Sequence, residues 1–204
     1  CLGMSSEDVR SNVARGEFGN WQETGYYINL ALNAGAWRGR GYGESVGALI
    51  LDQELEIPSE ADLLDEVRSL VATDPPRAAA AADMLSVVRR FNLPPGHMEV
   101  PHPWRGYSIQ AAAYRLNVPF TGHPMFGHDI IYNHPMNCGS LLGRAAERDF
   151  LRYAASVSNL SGGVYLSVGS AVMSPMVFEK SMSMAQNLAL QAGNEIKDHY
   201  IMVV

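Results

Sequence analysis

Pro94, Pro95, Pro101 and Pro103 all fall within "NLPPGHMEVPHPWRG", residues 92–106. A proline lacks the backbone N–H and holds φ near one value, so this density predicts a loop rather than a helix or a central strand. The loop divides the chain into two parts with different hydrophobic rhythms. Before it, apolar residues recur at helical spacing in "TGYYINLALNAGAW" and "GESVGALILDQEL", which are joined by the glycine-rich "GAWRGRGYG". Ser6 ahead of Glu7 and Asp8 predicts a capped first helix, punctuated by Gly16 and Gly19. Ser59 starts another, and "TDPPRAAAAADMLSVVRRF" breaks at Pro75 and Pro76 before resuming as helix.

After residue 106 the rhythm alternates. "SIQAAAYRLN" predicts a helix and "VPFTG" a short buried strand. A helix follows with Ala146, Phe150, Tyr153, Ala154 and Val157 on one stripe, then a strand in "GGVYLSVGSAV". The helix "SPMVFEKSMSMAQNLAL" would be capped by Ser174 with Pro175 in its first turn, and "HYIMVV" is the next strand. Alternating strands and helices predict an α/β fold, a Rossmann-like parallel sheet covered by helices on both faces. Residues 1–204 are read as a single α/β domain. Its mainly helical part is 1–105, and 106–204 is the alternating part that carries the site.

A length of 204 residues with 47% hydrophobic and 18% charged content suits a folded core. The net charge of −6, with basic residues scattered, argues against nucleic acid or an anionic membrane as partner. Cys1 and Cys138 suggest no disulfide framework. Neither a spanning apolar run nor a signal peptide is seen, and the expected compartment is the cytoplasm. Opening on Cys1 and closing on the apolar "HYIMVV", the chain reads as a fragment of a longer polypeptide.

The densest chemistry lies in "HPMFGHDIIYNHPMNCG", residues 123–139. It follows the strand expected at 118–120, and ligands of open parallel sheets bind at strand carboxyl ends. His123, His128, Asp129 and His134 offer metal-ligand atoms, but their spacing matches no standard metal signature, and none is assigned to a metal. Asp129 and His134 can instead act together, the carboxylate holding a cation while the imidazole moves a proton. The bland alternative is a polar loop satisfying its own backbone. Cys138 beside His134 is a possible nucleophile or an inert thiol.

Elsewhere, "GGVYLSVGSAVMSP" leads small residues from a strand into a helix, so backbone N–H groups near Gly169, Ser170 and Ala171 can approach a phosphate; a tight turn explains it equally well. "GRGYGESVG" lacks the G-K-[ST] ending of a phosphate loop and reads as a helix connection. Glu147, Arg148 and Asp149 in "AAERD" form either a solvated helix face or a support for the histidine loop. Met173, Met176, Met182 and Met184 read as core, and Trp21, Trp37 and Trp104 as packing or interface anchors.

The order "AAAYRLNVPFTGHPMFGHDIIYNHP", a helix, then "GGVYLSVGSAVMSPMVFEKS" resembles deoxyhypusine synthase and its bacterial relatives over roughly the last hundred residues. Asp129 and His134 keep that family's Asp-x-x-x-x-His spacing; Val164, Tyr165, Pro175 and Glu179 follow its later pattern. The resemblance implies NAD bound across the sheet's carboxyl edge, a homo-oligomer such as a tetramer, and His134 in an amine-binding pocket. The family's catalytic lysine belongs before the Val-Tyr strand, where this chain has "AASVSNLSGG" and no lysine between 121 and 179. Without that amine no enzyme–substrate imine forms, so a true deoxyhypusine synthase is not expected.

These observations together predict a transferase- or oxidoreductase-like enzyme using NAD or a related nucleotide on a small, amine-bearing substrate. His134 and Asp129 would be catalytic; His123, His128 and Glu179 would bind substrate; Gly169, Ser170 and Ala171 would approach NAD. The rivals are a metal-dependent enzyme built on the cluster at 123–134 and a non-catalytic assembly protein.

Overall fold

In a computed structural model that describes residues 9–17 and 22–204, the backbone is dominated by helices. In order these are α1 (Val9–Arg15), a π-helical turn (Gln22–Tyr27), α2 (Ile28–Trp37), α3 (Tyr42–Asp52), β1 (Glu54–Ile57), α4 (Glu60–Leu70) and α5 (Pro75–Phe91). There follow β2 (Gly96–Glu99), a 3-10 turn (Arg105–Tyr107), α6 (Ile109–Arg115), a second 3-10 turn (Ile130–Asn133), α7 (Gly139–Val157), β3 (Val164–Ser167), α8 (Met173–Gln191) and β4 (Tyr200–Val203). The cap expected at Ser6, the punctuation at Gly19, and Cys1 and Trp21 lie outside the described residues.

Contacts divide the chain into two compact units, Cys1–Asp149 and Phe150–Val204. The first is helical around α2, whose residues from Asn29 to Ala36 are all buried. Leu30, Leu63, Met84 and Leu141 are shut away from solvent there, each contributing roughly 1.5–3 kcal/mol by burial. β1 and β2 pair antiparallel, Leu55 opposite Met98 and Ile57 opposite Gly96. In the second unit β3 and β4 pair parallel, Val164 opposite Tyr200 and Ser167 opposite Val203, with α8 as the crossover. Val157, Phe178, Ala185 and Ile196 form its core, and Tyr165 stacks on Phe178 with ring centroids 3.9 Å apart.

The Rossmann-like parallel sheet is therefore overturned. Among the described residues there are two separate two-stranded sheets, one antiparallel and one parallel, and helices do not cover both faces of a continuous sheet. The decisive difference lies at "VPFTG": 118–122 forms no strand, and Val118 is 55% exposed with no neighbour to pair with. Without that strand, the alternating region supplies only one parallel crossover. The proline-rich segment, expected to be all loop, contributes β2 between its proline pairs, where Gly96–Glu99 finds a partner in β1.

Local capping chemistry accounts for the helix starts. The Ser59 side chain accepts from Asp62 N–H and the Asp74 side chain from Arg77 N–H, each satisfying a donor that the helix leaves open. α3 ends at Asp52, short of the predicted run, because Gln53 turns left-handed and the chain enters β1. α8 begins at Met173 after Val172, so Ser174 lies inside the helix; it is the Ser170 hydroxyl that accepts Ser174 N–H, at 3.0 Å. Met182 packs on the second core, but Met173 and Met176 are exposed and are not core residues. No described helix is long and apolar enough to cross a membrane.

Candidate functional site

α2 carries two asparagines four residues apart, on one face of an otherwise apolar helix. Asn29 donates to Ile131 O at 2.9 Å and accepts from the Asn137 amide at 3.0 Å; Asn33 donates to Met136 O at 3.0 Å. Ile131 and Met136 are themselves buried. Backbone ligation and two apolar anchors thus fasten residues 131–137 to the centre of the first unit.

A second clamp holds the start of the same loop. Asp149, on α7, is only 2% exposed, and its Oδ2 accepts both Gly43 N–H, at 2.8 Å, and Gly122 N–H, at 2.6 Å. Gly43 lies in the first turn of α3, where the helix dipole favours a negative charge. Burial pushes the Asp149 carboxyl up from its usual range, while the Gly122, Gly43 and Tyr42 backbone bonds and nearby His123 pull it back. This approach explains the glycines of "GRGYG". A Cβ on Gly41 would come 1.8 Å from Asp149 Oδ1, and one on Gly43 would come 1.8 Å from Phe120 O. The segment is a close-packed junction and not a loose helix connection.

Between the clamps lie the predicted site residues. His123 is half-buried, with Nε2 3.0 Å from the Thr121 hydroxyl; burial lowers its proton affinity and the Asp149 charge opposes that. Asp129 is half-buried, its Oδ2 accepting Met125 N–H at 2.8 Å. His128 is exposed. His134 Nδ1 accepts Met136 N–H at 3.0 Å, and burial holds the imidazole below its ordinary value. That bond requires Nδ1 to be unprotonated, so the neutral ring carries its hydrogen on Nε2. Tyr26 meets the His134 ring edge-on at 6.0 Å.

Asp129 and His134 share no hydrogen bond or ion pair; each is tied to backbone at its own end of the 130–133 turn. The carboxylate acts instead on tyrosines. Burial raises the Tyr42 phenol to about 12, with Asp129, Tyr132 and Asp149 adding to the effect. Tyr132 is also raised, by burial and then by Asp129. Its hydroxyl is closed off from solvent and has no hydrogen-bond partner, while its ring lies 5.3 Å from that of Phe126. Cys138 is a free thiol 3.3 Å from the Ser140 hydroxyl, with no bond to His134. Among the described residues, no three His, Cys, Asp or Glu side chains gather in a way that would hold a metal ion.

The remaining predicted residues belong to the second unit. Gly169, at φ +70°, and Ala171 are exposed in the turn from β3 to α8. Ser170 joins that turn to both elements: its carbonyl accepts the Ser167 hydroxyl at 2.9 Å and its hydroxyl accepts Ser174 N–H. Glu179 lies exposed on α8, ion-paired to Lys180. Sequence reasoning missed Tyr42, Tyr132, Asn29 and Asn33 as parts of the site. It reached Asp149 only as one of three residues in a charged segment. The available signal was two asparagines at helical spacing inside "INLALNAG", which no apolar core accepts without partners.

Comparison with protein-family models, with curated proteins and with solved structures finds no match to this chain.

Proposed function

We propose that the protein is an enzyme that binds a small, amine-bearing substrate at the loop 120–134 and moves a proton there. The observation that carries this reading is where proton affinities are displaced. Six groups with displaced proton affinity are on this loop, pack against it or clamp it: Tyr26, Tyr42, His123, Tyr132, His134 and Asp149. Displaced titration gathered in one place is what acid–base chemistry requires. Asp129 spends one oxygen on Met125 N–H, leaving the other to hold a substrate ammonium. His134 is neutral at pH 7 and offers its Nε2–H as donor, the geometry expected of a group that exchanges a proton with bound substrate. The Asp-x-x-x-x-His spacing shared with the deoxyhypusine synthases supports the amine, and the missing lysine argues for different chemistry on it.

A nucleotide such as NAD is proposed as co-substrate in the second unit, at Gly169, Ser170 and Ala171. The supporting feature is a parallel β3–α8–β4 crossover whose strand-to-helix turn is open to solvent. The cytoplasm is the proposed compartment, and a homo-oligomer the proposed form.

The test is a thermal-shift and calorimetric screen with putrescine, spermidine, NAD and NADH. A ligand at 100 times its dissociation constant raises stability by about 2.7 kcal/mol. An amine should bind the wild type and be lost in Asp129→Asn, while His134→Gln should retain binding and lose turnover. Absence of any amine shift, or an amine shift unchanged in Asp129→Asn, refutes the amine reading. Absence of a shift with both nucleotides refutes the co-substrate.

A further inference from the structure

A crevice of about 260 Å³ opens between the end of α3 and the segment leading into α6. Its apolar floor is Leu51, Ala111 and Ala112; its charged lining is Arg105 and Arg115; no acidic side chain lines it. We propose that this crevice binds a small organic anion, a compact apolar body bearing a carboxylate or phosphate group. The site lies outside the loop 120–134 and does not depend on the reading of that loop.

The two arginines differ in their partners from several others on the surface. Arg38, Arg77 and Arg89 each hold a glutamate. Arg105 and Arg115 hold no carboxylate, as is also true of Arg90, Arg148 and Arg152; what sets Arg105 and Arg115 apart is that both line one crevice that no acidic side chain enters. Arg105 is nevertheless fixed, because its Nη1 donates to Leu51 O at 2.9 Å; the rest of the guanidinium fork is left to bind. Arg115 closes α6, and that helix, at roughly 1.5 Å rise per residue, is short enough for both side chains to meet one ligand.

The walls between them are rigid. The Ser108 hydroxyl caps α6 by accepting Ala111 N–H, and α6 sits so close to α3 that a Cβ on Gly47 would come 2.8 Å from Gln110 O. Two guanidinium groups over an apolar floor select a planar or tetrahedral oxyanion with a hydrophobic body. The volume falls just below that of small-molecule pockets, about 300–1,000 Å³, so an ion as small as chloride would leave it mostly unfilled.

Amide NMR titration of the full chain with phenyl phosphate, benzoate and neutral benzyl alcohol tests the assignment. Saturable shifts at Gly106, Ala111 and Ala112 are expected with one or both anions and not with the alcohol; the tighter anion identifies phosphate or carboxylate as the natural group. Arg105→Gln and Arg115→Gln should each weaken binding by about tenfold, the value of one charge-assisted bond. Gly106→Leu keeps both charges and has room for its Cβ, with nothing within 4 Å, so it should block entry without harming the fold. No saturable shift at millimolar anion, or shifts that persist unchanged in both arginine variants, overturns the proposal. Since the reporting amides belong to α6 and its approach, failure here leaves the amine test at Asp129 untouched.

Discussion

Asp149 ties two segments of the site together, because one of its oxygens serves backbone donors from both. Asp149→Leu removes the oxygen that accepts both Gly43 N–H and Gly122 N–H and leaves both donors without a partner. The variant should lose about 1–3 kcal/mol of stability in urea unfolding, the cost of buried donors left unsatisfied. Gly41→Ala should destabilise through the same contact, since its methyl would overlap Asp149 Oδ1. His134 makes a separate prediction. Its proton affinity is lower folded than unfolded, so between the two values the unfolded chain binds more protons and stability rises with pH. The His134 contribution is complete above about pH 6.5 and is lost as pH falls through the folded value. His134→Gln should flatten that acid limb in pH-dependent melting; an unchanged limb would mean that Met136 N–H does not depend on the imidazole.

At the scale of elements, α2 positions the loop through its asparagines. Asn33→Leu would leave Met136 O buried without a donor and should cost about 1–3 kcal/mol, with hydrogen exchange accelerating across 131–137 ahead of α2 itself. Which elements could be read in the sequence follows from the range of the forces that make them. The start of α4 was legible because Ser59 caps a residue three positions away; α5 begins earlier than expected, at Pro75, because prolines are tolerated in a first turn that Asp74 caps. β3 and β4 were legible as strands, and their parallel pairing follows from the helix between them. β1 was not, since "LDQEL" continues the apolar spacing of α3 and only pairing with residues 96–99 makes a strand of it. "VPFTG" has a strand's composition but no partner, so its segment is held by Asp149 at Gly122 instead. His123, Asp129 and His134 could be found by residue type. Asp149 could not, because "AAERD" has the composition of a wet helix face and nothing local reveals that its aspartate is buried.

For the molecule as a whole, the parallel sheet of the second unit is anomalous. Parallel strands are normally covered on both faces, yet Val164, Leu166, Ile201, Met202 and Val203 are each more than half exposed. An apolar surface of this kind favours association. Size-exclusion with light scattering should find the wild type larger than a monomer and the double variant Ile201→Lys, Val203→Lys smaller; a monomeric wild type would rule out the proposed homo-oligomer. The division at Asp149 has an optical consequence as well. Trp21, Trp37 and Trp104 all precede it, whereas the later unit holds only Tyr153, Tyr165 and Tyr200 as fluorophores. Indole emission therefore watches the first unit melt, and the stacked Tyr165 ring gives the second its own near-ultraviolet signal.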